Sequence, residues 1–314
     1  MAARIFIDGA AGTTGLEIRE RLSGRRGLEL VTLSESDRKD PKARAGALNE
    51  ADLVILCLPD DAARDAVGMI ENENVGVIDA STAHRTAPGW DYGFPELNRA
   101  QRAKIAASKR VANPGCYPTG FLALVRPLVD AGIVSPDFPL TVNAVSGYSG
   151  GGKSMIEEFE DKTSPRHVET VVRPYALSLA HKHVPEMTVH AGLAHPPVFA
   201  PSVGRYYRGM IVEVPLQLWA LPNAPKLADL HDVLSGHYRG ERFVQVAPLA
   251  DAPATLDAEM LAGTNGMTLF VFGNDKTQQA RLVAALDNLG KGASGAAVQN
   301  LNIMLGLPEA EGLA

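Results

Sequence analysis

The sequence predicts an α/β protein: a doubly wound parallel sheet joined to a second, α+β domain. Three observations lead there. Short β-rich runs alternate with amphipathic stretches through the first third, one of those runs is apolar on both faces, and the texture changes near residue 113 to longer β-like runs. A chain of 314 residues, 46% hydrophobic and 21% charged, lies within ordinary globular usage, and its length favours two cores over one.

Taken in order, the first third reads Arg4 to Asp8, Leu16 to Leu22, Leu28 to Leu33, Asp52 to Leu58, Ala62 to Ile70 and Val75 to Asp79. Leu53-Val54-Ile55-Leu56-Cys57-Leu58 suits a central strand covered by helices on each side. It stops at Pro59, and Asp60 is placed to cap the next helix. From Asn113 the residues Pro114, Gly115, Pro118 and Gly120 crowd around Cys116 before a helical stretch from Phe121 to Val129, which marks a domain boundary. Beyond it come β-like runs at Leu140 to Val145, Gly209 to Leu218, Arg242 to Val246 and Met267 to Phe272, with helical candidates at Lys153 to Glu160 and Leu227 to Tyr238. This predicts a mixed or antiparallel sheet. Ala293 to Leu305 has helical spacing, with Ala297, Leu301, Met304 and Leu305 on one side.

Composition excludes several functions. A net charge of -6 and a pI near 5.8 argue against a broad nucleic-acid or acidic-membrane surface. The N-terminal apolar run Ile5-Phe6-Ile7 is broken by Asp8 and Gly9, too short for a signal-peptide core, and no window reaches the roughly 18 apolar residues of a membrane span. Cytoplasmic residence is the default expectation. The 2 cysteines make no disulfide framework, and no ligand cluster suggests a metal.

Gly9-Ala10-Ala11-Gly12-Thr13-Thr14-Gly15 follows a predicted strand and opens a predicted helix, where small residues let backbone amides approach a pyrophosphate. Placement gives the motif its weight, since the spacing departs from Gly-x-Gly-x-x-Gly and a tight turn would use the same residues. The reading is a Rossmann-type dinucleotide-binding domain. After the second strand, Ser34-Glu35-Ser36-Asp37-Arg38-Lys39 mixes carboxylates suited to a ribose hydroxyl with hydroxyls and cations suited to a 2′-phosphate. Ser34 and Arg38 favour NADP over NAD; a solvated loop is the alternative.

Cys57 lies in the apolar run and reads as a small core residue. Cys116, in Asn113-Pro114-Gly115-Cys116-Tyr117-Pro118-Thr119-Gly120, stands on a turn at a predicted helix N-terminus, where the macrodipole and free amides favour a thiolate. It is a candidate nucleophile toward an acyl carbon, with a buried cap as the rival reading. Its neighbourhood supplies no histidine, so the acid/base candidates are His181 and His183 in His181-Lys182-His183-Val184-Pro185-Glu186, with Glu186 to orient an imidazole. Arg85 follows the carboxyl end of a strand, where open α/β sheets bind ligands, and could hold a phosphate. Ser146 to Lys153, with Ser149 and Gly150, is a second amide-rich turn before a helix.

Together these residues resemble the N-acetyl-γ-glutamyl-phosphate reductase family of arginine biosynthesis, in its shorter form, within the aspartate-semialdehyde dehydrogenase-like group. The match runs nearly end to end. Its most specific piece is Asn113 to Thr119; the glycine loop, Ser81 to Arg85, Tyr92 to Glu96, Ser146 to Lys153, His181 to Glu186, Asp287 to Gly295 and Gln299-Asn300 support it. The resemblance implies NADPH-dependent reduction of an acyl phosphate to an aldehyde through a thioester on Cys116, with acid/base chemistry from the His181 to Glu186 segment. It implies substrate contacts from Arg85 and Ser149, a C-terminal helix that returns to the nucleotide domain with Asn300 near the nicotinamide, and a homo-oligomer, dimer or tetramer. The expected division is 1–115 with 293–314 for the nucleotide, and 116–292 for catalysis and oligomerisation. His84 and Gly151-Gly152-Lys153 depart from the pattern of the longer form. Which histidine acts stays open; His183 is preferred for standing three residues before Glu186. The rivals are a sibling reductase acting on another acyl phosphate, such as aspartyl phosphate, and a dinucleotide sensor without turnover, which would need no nucleophile.

Overall fold

A computed structural model describes residues 2–251 and 253–314. The chain forms two compact units, one of residues 1–95, 100–114 and 293–314, the other of 96–99 and 115–292. The excursion of Glu96–Arg99 into the second unit has no counterpart in the sequence expectation.

The first unit is built from β1 (Ala3–Asp8), α1 (Thr13–Leu22), β2 (Leu28–Val31), α2 (Pro41–Glu50), β3 (Leu53–Leu56), α3 (Asp60–Gly68), β4 (Gly76–Asp79), β5 (Asp91–Tyr92), α4 (Gln101–Ala107) and β6 (Arg110–Ala112). Its sheet is parallel throughout, in the order β2-β1-β3-β4-β6-β5. Strand order reverses at β1, the switch point beside which open α/β sheets take ligands. Alternate residues of β3 serve opposite faces: Leu53 and Ile55 join Ile5, Ile7, Ile18 and Leu301, while Val54 and Leu56 join Phe6, Leu48 and Ala63. Both faces are thus covered, which is why β3 is a continuous apolar run. Asp60 does not cap α3: Pro59 holds that place, and the Asp60 carboxylate accepts the Thr82 amide at 2.9 Å.

The second unit contains α5 (Cys116–Asp130), β7 (Thr141–Gly147), α6 (Gly152–Glu160), β8 (Val172–Pro174), α7 (Val184–Ala191), β9 (Val198–Gly204), β10 (Met210–Gln217), α8 (Leu227–His237), β11 (Val244–Val246), β12 (Met267–Asn274) and β13 (Gln279–Leu286). Its mixed sheet runs β11-β12-β13-β10-β7-β9-β8. Helix α5 is buried along most of its length and packs on β10, β13, α7 and α8. Such a helix is hydrophobic nearly all round because it has protein on every side. Finally α9 (Gly295–Met304) belongs to the first unit, where Ala297, Val298 and Leu301 pack in the same core as Ile18 and Ile105. Among the described residues, no helix is long and apolar enough to cross a membrane.

Candidate active site

In the first unit, the loop after β1 is shaped by the absence of side chains. Gly9 has φ +87°, and a Cβ on Gly15 would lie 2.6 Å from the Gly9 carbonyl oxygen. Gly12 differs, since a Cβ there would meet only that oxygen at 3.5 Å, an ordinary contact. Packing does not demand glycine at 12; what its smallness leaves is room at the helix N-terminus. Gly12 makes no side-chain cap, and Leu16 is the first amide to bond back, to the Gly12 carbonyl at 2.8 Å. The amides of Thr13, Thr14 and Gly15 are therefore those of an uncapped first turn, suited to an anion.

Beside this loop lies a cavity of about 190 Å³ at the carboxyl ends of β1 and β2, lined by Gly9 to Ala11, Leu30 to Leu33 and three arginines, Arg19, Arg38 and Arg44. Arg44 also donates to Asp8 at 2.7 Å. Ser34 is not part of that lining; its hydroxyl donates to the Asp37 carboxylate at 2.7 Å and accepts the Asp37 amide at 3.1 Å. Arg19 and Arg44 come from α1 and α2, and no sequence motif links them to the glycine loop.

The segment after β4 is braced from below. Buried Asp79 accepts the Ser81 amide at 2.9 Å and hydroxyl at 2.7 Å, and pairs with His84 Nδ1 at 2.6 Å, while the His84 ring stacks on Trp90 at 4.1 Å. Arg85, also buried, donates to the carbonyls of Asn113 at 3.0 Å and Ala80 at 3.1 Å. Asn300 on α9 is fully buried and donates to the Gly93 carbonyl at 2.8 Å. That carbonyl can only accept, so the orientation of the Asn300 amide is fixed. Its Oδ1 is left as a buried acceptor without a hydrogen-bond partner. An N–H donor such as a carboxamide would satisfy it, and with the loop amides and three arginines the residues present fit a nicotinamide dinucleotide.

In the second unit, Cys116 is the first residue of α5, with Gly115 as its cap in extended conformation. Glu186 in the first turn of α7 accepts the Gly115 amide at 2.8 Å. That bond fixes the residue before the thiol. His183 caps α7, buried, and its backbone N–H donates to His181 Nδ1 at 3.1 Å. A backbone N–H can only donate, so a neutral His181 carries its proton on Nε2. The two rings meet edge-on at 4.7 Å, and both approach Tyr117, at 6.3 Å for His181 and 5.9 Å for His183.

Two tyrosines complete this cluster: Tyr117, which lies inside the Asn113 to Thr119 motif without a role assigned to it, and Tyr175, which no sequence motif marks. Tyr175 donates to the Tyr117 hydroxyl at 3.1 Å. Burial drives Tyr117 well above its ordinary range and Tyr175 to about 12, the nearby Cys116 adding to both, so both stay protonated at neutral pH.

One short run after β13 organises the surroundings. Asp287 accepts the Leu289 amide at 2.8 Å and pairs with Arg208 at 3.0 Å; Asn288 bonds Gly209 and Ser149; Lys291 forms a buried ion pair with Glu96 at 2.8 Å. Gly292 packs against the thiol residue, where a Cβ would fall 2.7 Å from Cys116 Cβ. Gly150 lies beside the same run: a Cβ on it would come 3.3 Å from Asn288 Nδ2. Among the described residues, no group of three or more His, Cys, Asp or Glu is placed to hold a metal ion.

Residues 4–105 match the NAD binding domain of semialdehyde dehydrogenase, and residues 116–288 match its dimerisation domain. A Nostoc sp. protein named N-acetyl-gamma-glutamyl-phosphate reductase 2 is 56% identical, the alignment covering 99% of each chain. A Brucella anthropi protein named N-acetyl-gamma-glutamyl-phosphate reductase is 55% identical over 98% of this chain and 99% of its own. Among solved structures, aspartate semialdehyde dehydrogenase II of Vibrio cholerae, complexed with ASA, has a TM-score of 0.75 at 16% identity, covering 97% of this chain and 98% of that one. Aspartate semialdehyde dehydrogenase of Candida albicans, with NADP, has a TM-score of 0.68 at 15% identity, covering 97% and 99%.

Proposed function

This chain belongs to the semialdehyde dehydrogenase family and, within it, to the N-acetyl-γ-glutamyl-phosphate reductases, and from that premise we propose the chemistry its residues carry out. It is an oxidoreductase with a nicotinamide dinucleotide-binding domain and a dimerisation domain. The proposed reaction is reduction of N-acetyl-γ-glutamyl phosphate to N-acetylglutamate 5-semialdehyde and phosphate, a step of arginine biosynthesis.

The observation that carries it is the placement of Cys116 at the first residue of α5, with Glu186 fixing Gly115 and two histidines gathered at Tyr117. The Cys116 thiolate attacks the acyl carbon; the carbon–oxygen bond to phosphate breaks and the acyl group remains as a thioester. The Gly12 to Gly15 turn and Asn300 hold the dinucleotide, which when bound supplies the hydride that reduces the thioester carbonyl. As the carbon–sulfur bond breaks, the aldehyde leaves and the thiolate is restored. His183, seconded by His181, moves the proton, and the α5 N-terminal amides stabilise negative charge developing on oxygen. Arg85, Ser149 and Gly150 hold the substrate.

NADP is the proposed cofactor. Arg19, Arg38 and Arg44 line the cavity by β2 and supply cations suited to a 2′-phosphate, and the Asp8 carboxylate in the same lining is already paired with Arg44 at 2.7 Å. The active form is proposed to be a homo-oligomer, dimer or tetramer, working in the cytoplasm.

The test is phosphate-dependent NADP reduction with N-acetylglutamate 5-semialdehyde, run beside NAD and beside Cys116→Ser. Turnover that prefers NADP and vanishes in the variant supports the reading. No turnover with this aldehyde sinks the substrate; activity surviving in the variant sinks the thioester.

A further inference from the structure

Behind the turn that carries Ser149, the Asn288 side chain lies 1% exposed between two partners, the Gly209 backbone amide at 2.8 Å and the Ser149 hydroxyl at 2.9 Å. The first partner decides the second. A backbone N–H can only donate, so the atom facing Gly209 is the amide oxygen, and the atom facing Ser149 is the NH2 group, which can only donate. Ser149 Oγ is therefore the acceptor of that bond. A hydroxyl has one proton; with Asn288 supplying a donor, the Ser149 proton is directed away from Asn288.

The rest of the turn permits little readjustment. The Ser149 backbone amide is tied to the Tyr207 carbonyl at 3.1 Å, and Gly147 is tied to the Gly209 carbonyl at 2.9 Å. Ser149 itself is 1% exposed, so its hydroxyl cannot rely on bulk water to choose a direction.

We infer that Asn288 is a positioning residue which makes the Ser149 hydroxyl a hydrogen-bond donor to an oxygen of the bound acyl phosphate. The inference rests on the reading above that Ser149 touches substrate. It assigns to Asn288 a role in recognition exerted wholly through its neighbour, and explains why an amide stands there: an aspartate of the same shape would satisfy Gly209 equally well but would accept from Ser149, turning the hydroxyl proton inward.

The experiment is a double-mutant cycle on the full-length protein, with wild type, Ser149→Ala, Asn288→Asp and the double variant. Turnover is measured against N-acetylglutamate 5-semialdehyde, inorganic phosphate and NADP, with kcat and KM separated and the unfolding midpoint of each protein recorded. Each single variant is expected to lose about 10- to 100-fold in kcat/KM, the range for a hydrogen bond to a charged group. The double variant is expected to fall within about twofold of Ser149→Ala, because without the hydroxyl Asn288 has nothing to orient. Should the aspartate variant fold poorly, Asn288→Ala passes through the same cycle, with a smaller loss again expected only where Ser149 is present. Equal losses from the Asn288 change in both backgrounds overturn the inference while leaving the functional reading intact, since repulsion by the new charge or a structural defect would act with or without Ser149. An Asn288→Asp enzyme indistinguishable from wild type also overturns it. A wild type inactive on this substrate removes the functional reading and the inference together.

Discussion

The two cysteines of this chain share a side chain and little else. Cys57 follows β3, its amide donating to the Asp8 carbonyl at 2.8 Å and its side chain packed against the apolar core of the first unit. Burial, reinforced by Asp79 and Asp8, pushes its thiol from 9.0 to about 12. Cys116 opens α5, with Glu186 holding the residue before it and Gly292 packed against its Cβ. One thiol lies near carboxylates and apolar neighbours; the other belongs to the first residue of a helix. We expect reactivity to follow position, since burial beside carboxylates disfavours the charge that a helix N-terminus favours.

The sharpest way to break this comparison is to exchange each sulfur. Cys116→Ser is expected to cost at least about a thousandfold in kcat, because an alcohol there has no comparable access to its anion. Steady-state turnover with each cysteine changed singly reads the contrast directly. In the folded wild type, mass spectrometry after brief iodoacetamide treatment at neutral pH should find Cys116 alkylated and Cys57 untouched. Equal labelling of the two would dissolve the distinction.

Next in size is the histidine pair. His183→Gln should lower kcat by about 10²- to 10⁴-fold, the usual worth of a positioned proton-transfer group. His181→Gln should cost less, since the Nδ1 of His181 already accepts the His183 amide and so supports that residue. If pre-steady-state kinetics show the larger loss with His181→Gln, the acid/base role moves to the more exposed ring.

Smaller still is the effect expected on the cofactor side. Arg44→Ala and Arg38→Ala should each raise the KM for NADP about tenfold and leave the KM for NAD nearly unchanged, since a 2′-phosphate exists only in the former. Arg44 is expected to matter more, because Asp8 at 2.7 Å holds it in place while Arg38 is exposed. Parallel rises for both cofactors would assign these arginines to the pyrophosphate.

These contrasts also mark what could be read from sequence. The doubly apolar β3 run and the Gly9 to Gly15 loop were legible because strand burial and an uncapped helix start each impose a local pattern. Helix α2 carries no such pattern, since Pro-Lys-Ala-Arg-Ala-Gly-Ala-Leu-Asn-Glu buries only Ala47 and Leu48 and so lacks a wide apolar stripe. Strand β13, Gln-Ala-Arg-Leu-Val-Ala-Ala-Leu, is as good a helix pattern as a strand pattern, and only its pairing with β10 and β12 decides. Around the candidate site, residues with motifs at hand were nameable. Arg44, Tyr175 and Asn288 come close to their partners only through the tertiary fold, from 36, 58 and 139 positions away.

The smallest predicted effect tests the other half of the comparison. Cys57→Ala should leave turnover within about twofold of wild type and cost about 1 kcal/mol of stability near pH 7, the scale for removing a small, partly buried group. The informative quantity is how that difference changes with pH. A thiol whose folded value is raised binds its proton in the native state while the unfolded chain has already lost it, so its contribution fades as pH rises through the window from 9.0 to about 12. Within that window the wild type should lose about 1.4 kcal/mol per pH unit relative to the alanine variant. The two stabilities should therefore cross near pH 10, with the variant the more stable above it. Urea unfolding of both proteins from pH 7 to pH 11 measures the difference directly and cancels the titrations they share. A difference that stays constant across that range would mean that the Cys57 thiol ionises as freely in the fold as out of it, and burial would no longer be what separates the two cysteines.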